Sequence, residues 1–86
     1  MRSSDFSISF TTRAVFRCEG DVVQVTFKLN DQQVGDPVVF TRTEAVEVGR
    51  QIAKDGCHAL FPISGISTND VKNFGTRLML YGLNGE

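Results

Sequence analysis

The sequence predicts an α+β fold: an antiparallel sheet with two helices packed on one face, in the order β-β-β-α-(β)-α. Three observations predict it. Residues 6–19 alternate apolar and polar with period two, as a strand with one buried face does. The alternation changes phase across Gly20-Asp21, as a two-residue hairpin turn requires. From residue 42 the apolar spacing becomes helical. The sheet is three-stranded, or four-stranded if residues 57–63 add a strand, and residues 1–86 form one compact domain.

Strand one carries Phe6, Ile8, Phe10, Thr12, Ala14, Phe16 and Cys18 on its buried side. It is long for one strand, and a bend near Thr11-Thr12 would let it serve two neighbours. In strand two Val23, Val25, Phe27 and Leu29 alternate with Gln24, Thr26 and Lys28. A turn at Gly20-Asp21 sets Cys18 beside Val23, Phe16 beside Val25, Ala14 beside Phe27 and Thr12 beside Leu29, all on one face. The opposite face pairs Glu19 with Val22, Arg17 with Gln24, Val15 with Thr26 and Arg13 with Lys28. That last pair sets like charges opposite each other.

A third strand spans Val34 to Thr41 after a turn at Asn30-Asp31. Simple pairing buries Val34, Val38 and Phe40 but also Asp36, which a bulge at Gly35 would relieve. Pro37 has no N–H and belongs at a sheet edge. A helix follows over residues 42–55, with Ala45, Val46, Val48, Gly49, Ile52 and Ala53 on its apolar side. Thr41 and Glu44 have capping-box spacing, Thr43 is an alternative N-cap, and Gly56 is the expected terminator. Cys57 to Ile63 reads as a short extended segment and Ser64-Gly65 as a turn. The last element reads as a helix over roughly 69–82, with Val71, Phe74, Leu78 and Tyr81 on one side, Thr68 as cap and Gly82-Leu83 as its ending. Arg77 to Tyr81 also suits a strand.

Composition narrows function. The chain has 86 residues, nine Lys+Arg against ten Asp+Glu, and a formal net charge of −1. That balance is neither a nucleic-acid coater's nor an acidic mimic's. Apolar residues never run long enough for a membrane span, and no signal peptide is visible after Met1-Arg2-Ser3-Ser4-Asp5. Two cysteines do not make a disulfide scaffold, so a cytoplasmic location is expected.

Chemistry-bearing clusters are sparse. Cys57 and His58 are neighbours in an extended segment and point to opposite faces, so a nucleophile and base pair is not expected there. Cys18, Cys57 and His58 lack metal-ligand spacing, so no metal site is expected. Glu44 and Glu47 sit on the polar side of a helix, and no phosphate loop is present. No cofactor and no enzymatic activity are expected.

The feature that stands out is cationic. Arg13, Arg17 and Lys28 share the open sheet face, among Ser7, Ser9, Thr11, Gln24 and Thr26, with Glu19 nearby; Arg42 lies at the start of the first helix. Phe6, Phe10, Phe16, Phe27, Phe40 and Phe74 are expected in the core, which leaves that face no aromatic platform for stacking bases. These residues predict a small non-enzymatic protein-interaction module, of the kind a bacterium or phage uses as an inhibitor or adaptor. It would bind a larger protein through the cationic face (Arg13, Arg17, Lys28 and Arg42) or through an edge strand, either strand three or the long first strand. A homodimer through an edge strand is a second form of this expectation. Met79, Leu80 and Leu83 could add an apolar contact. The alternative is binding of a nucleic-acid backbone by the same cations.

Overall fold

The computed structural model describes residues 2–56 and 65–85. Among the described residues five strands form one antiparallel sheet: β1 (Arg2–Ser7), β2 (Thr12–Glu19), β3 (Val22–Leu29), β4 (Gln32–Gln33) and β5 (Val38–Thr41). Two helices follow, α1 (Arg42–Asp55) and α2 (Thr68–Asn84). The sheet runs β1-β2-β3, with β4 and β5 both pairing the far side of β3.

The β2–β3 hairpin has the register read from its turn, from Thr12 opposite Leu29 to Glu19 opposite Val22. Gly20 takes a φ of 59° in the turn, a conformation that costs other residues more. The run before it is not one bent strand. It reverses at residues 8–11 into a second hairpin, with Phe6 opposite Ala14 and Ser4 opposite Phe16. Phe10 at this reversal is fully exposed rather than in the core.

The expected third strand is interrupted. Asn30 and Asp31 both have positive φ, the backbone of a tight hairpin turn. Gln33 pairs with Lys28, and the Val34 N–H donates to the Phe27 carbonyl. Val38 then pairs with Val25, the next β3 residue whose backbone points this way. Gly35, Asp36 and Pro37 bow out between them, with Gly35 at φ 70° and Asp36 exposed. The bulge keeps Phe40 buried without burying Asp36.

Helix α1 has the expected limits. The Glu44 N–H donates to Thr41 Oγ1 at 3.1 Å, the Thr41 N–H donates to Glu44 Oε1 at 2.8 Å, and Gly56 closes the helix at φ 65°. Helix α2 is confirmed as a helix but is capped by Ser67 instead of Thr68, and it runs past Gly82 to Gly85. Gly82 is needed elsewhere. The helices pack antiparallel at backbone distance: a Cβ on Gly49 would sit 2.5 Å from the Met79 nitrogen, one on Gly75 2.5 Å from the Ala53 nitrogen, and one on Gly82 2.7 Å from the Arg42 carbonyl.

The core lies between this helix pair and one face of the sheet. Phe16 stacks on Tyr81 with centroids 4.5 Å apart and on Phe74 at 5.7 Å; Phe27 meets Phe74 at 5.4 Å. Ala14, Val23, Val25, Ile52, Val71 and Leu78 are buried around them, with Ile8, Phe40 and Ala45. The segment from Cys57 to Ile63, including the extended piece and Phe61, lies outside the described residues. No described helix is long and apolar enough to cross a membrane.

Candidate functional site

Alternation along β2 and β3 turns Arg13, Arg17, Gln24, Thr26 and Lys28 toward the sheet face away from the helices. Arg13 lies opposite Lys28, as the register demands. The repulsion is relieved by two carboxylates. Asp5 of β1 reaches Arg13 at 3.5 Å, and Asp31 of the β3–β4 turn forms a direct ion pair with it. Arg17 and Glu19 line a shared shallow depression with Val22 and Gln24. Carboxylates are therefore distributed among the cations of this face, which lowers its potential toward phosphates.

Arg42 does not join that face. Its Nε donates to the Gly82 carbonyl at 3.0 Å and its Nη2 to the Leu83 carbonyl at 3.1 Å. These are last-turn carbonyls of α2, which lack intrahelical partners and carry the negative end of the helix dipole. Arg42 ties the start of α1 to the end of α2, a structural duty.

The free edge of β1 is a different kind of site. The Ile8 N–H donates to the Thr12 carbonyl at 2.9 Å, and the Asn30 N–H to the Thr11 carbonyl at 3.0 Å. In an antiparallel ladder such pairs recur at every second residue. Even-numbered residues of β1 therefore spend their backbone groups on β2, whose odd-numbered residues face β3. The N–H and C=O groups of Ser3, Asp5 and Ser7 are left pointing outward, along an edge that no described strand covers.

Beside this edge runs a groove of about 300 Å³ between β1 and α2. Phe6, Ser7 and Ile8 line one side; Asp70, Asn73, Thr76, Arg77 and Leu80 line the other. The α2 residues recur at three- and four-residue spacing, one stripe about 15 Å long. That length matches about four or five residues of extended chain. The Arg77 guanidinium sits 5.2 Å above the Phe6 ring, a cation–π contact that holds it over the groove. Leu80 and Met79 are half-buried and Leu83 is exposed, so of the three only Leu80 joins this groove.

The sequence signalled an edge strand but not this groove. Nothing in the residue pattern marks Arg77 or Asp5 as a site residue, because each matters only through a neighbour that the β1–β2 reversal supplies. Among the described residues, no three His, Cys, Asp or Glu side chains are placed to hold a metal; Cys57 and His58 lie outside them. Cys18 is half-buried against the core. Fold and site define an α+β domain in which, among the described residues, one sheet face and the continuous β1 edge are left uncovered. No family model matches the chain, and no curated protein or solved structure shows significant similarity to it.

Proposed function

We propose that this protein is a non-enzymatic protein-binding module that takes an extended segment of a larger partner as an added strand on β1. The observation that carries this reading is the outward phase of the Ser3, Asp5 and Ser7 backbone groups beside a groove of strand dimensions. Main-chain hydrogen bonds to an edge provide affinity, and pockets for alternate side chains provide specificity. The edge-strand form of the expectation is favoured over the cationic-face form because Arg13 already has two carboxylate partners and Arg42 is held by α2. The role of inhibitor or adaptor and a cytoplasmic setting are part of the same proposal, as is binding without a cofactor or a membrane.

The test uses phase. Proline at Ser3 removes only an outward N–H and leaves the β1–β2 ladder whole. The tagged protein is incubated with nuclease-treated lysate of its source cells. The expected result is a discrete protein recovered in stoichiometric amount, lost with Ser3→Pro and retained with Arg17→Glu. Equal recovery by a folded Ser3→Pro variant would overturn the edge. Recovery of nucleic acid from untreated lysate, falling steeply with salt and abolished by Arg17→Glu, would replace it with phosphate binding on the open face.

A further inference from the structure

We infer that the groove between β1 and α2 selects an extended peptide carrying an acidic side chain two residues from an apolar one, the acid meeting Arg77. The inference rests on the proposal that a strand adds to β1, and it specifies what that strand must carry.

The argument follows from register. A strand paired on the outer edge of β1 exchanges hydrogen bonds with Ser3, Asp5 and Ser7. Its residues opposite Ser4, Phe6 and Ile8 then turn their side chains to the same side as Phe6, the side that faces α2. The residue opposite Phe6 lies about 4.5 Å away between Cα atoms, as in any pair without hydrogen bonds between its members. Arg77 stands over that ring with its Cζ 5.2 Å from the centroid. A carboxylate at that position reaches the guanidinium with little adjustment. Arg77 makes no ion pair with any described residue. Asp70, the acidic residue of the lining, is seven residues away on α2 and about 10 Å along its axis, too far to neutralise it.

The next inward position on the added strand is two residues along. On the N-terminal side of β1 it falls opposite Ser4, toward the end of the groove where Leu80 lies, because the last turn of α2 is held by Arg42 near the β2–β3 turn. An apolar side chain suits that position. The second occupant to consider is another copy of this chain. Its β1 would offer Ser4 and Phe6 to the groove and keep Asp5 on the opposite face, so it brings Arg77 no carboxylate. Charge complementarity therefore favours a separate, acidic partner strand over self-pairing.

The test is selection from a library of random decapeptides displayed on a carrier, run in parallel on the wild-type protein, Arg77→Glu and Ser3→Pro. Arg77 is exposed, so Arg77→Glu should fold. The expected result is enrichment on wild type of sequences with Asp or Glu two residues from an apolar residue. A synthetic peptide of that sequence should bind about tenfold more weakly when its acid is made an amide. It should weaken to a similar extent on Arg77→Glu, recover there when its acid is replaced by Lys, and fail to bind Ser3→Pro. Enrichment without an acidic preference, still abolished by Ser3→Pro, would overturn the inference and leave the edge proposal standing. Enriched peptides indifferent to Ser3→Pro, or no enrichment at all, would overturn both. Dimerisation of the free protein in sedimentation, abolished by Ser3→Pro, would assign the groove to a second copy.

Discussion

The two edges of this sheet are built in opposite ways. On one side β1 offers six residues without interruption, and they are mostly short and polar: Ser3, Ser4, Asp5 and Ser7. On the other side the edge is rich in β-branched residues, Val34, Val38 and Val39, and is broken by Gly35, Asp36 and Pro37 into pieces of two and four residues. An apolar, continuous edge is a template for indiscriminate pairing, and bulges and prolines are common ways of blunting one. A polar edge can stay continuous because side-chain burial adds little to a chance encounter. The difference teaches that the apolar edge, which would pair with anything, is the one the chain interrupts, while the polar edge runs on without a break.

The largest effect would come from the core that lies under both edges. Phe16→Ala removes the ring that stacks on Tyr81 and Phe74, and should destabilise the fold by about 3–5 kcal/mol. In thermal denaturation both edges should then be lost together, with the midpoint lowered by more than about 10 °C. A wild-type midpoint would show that the two edges do not depend on one core.

A sharper contrast lies within β1. Ser4→Pro removes a donor to β2 and orphans the Phe16 carbonyl, at about 1–3 kcal/mol. Ser3→Pro removes an outward donor and should change stability by no more than about 0.5 kcal/mol. Chemical denaturation of the pair reads the difference. Equal losses would mean that the hydrogen-bond phase assigned to β1 is wrong.

A small change in stability, with the most telling change in assembly, is expected at the other edge. Deleting Gly35 and Asp36 together with Pro37→Thr joins β4 to β5 without shifting either register against β3. Stability should move by less than about 1 kcal/mol, since the lost residues are exposed and bulged. Sedimentation should reveal concentration-dependent association absent from the parent protein. A monomeric variant would mean that the interruption does not serve to keep copies apart.

Much of the fold is legible in residue pattern. Gly20-Asp21 changes the parity of the alternation, so a reader sees the turn and can count the pairs outward. Thr41, Glu44 and Gly56 bracket α1 because capping is a local contest for backbone hydrogen bonds. The β1–β2 reversal escapes the same reading for a simple reason. It pairs even residues with even ones, as Phe6 with Ala14, so the alternation passes through the turn without a break. Residues 8–11 also lack Gly, Pro, Asn and Asp, the usual turn residues. The unbroken alternation points Phe10 to the core, whereas the turn carries it out into solvent. The end of α2 misleads in a related way. Gly82 resembles a terminator, but its small size serves close packing against Arg42 and Val46, and Gly85 ends the helix.

The site divides along the same line. That Arg13, Arg17 and Lys28 share one face, and that this face has no aromatic residue from β2 or β3, follow from sequence, because strand geometry is periodic and a single turn sets the phase. That Asp5 and Asp31 partner Arg13, that Arg42 leaves the face to hold the end of α2, and that Arg77 stands over Phe6 were decided by tertiary structure. Each depends on segments far apart in the chain meeting in space. Local periodicity tells each side chain which way to face; only the packing of strands and helices tells it what it will meet there.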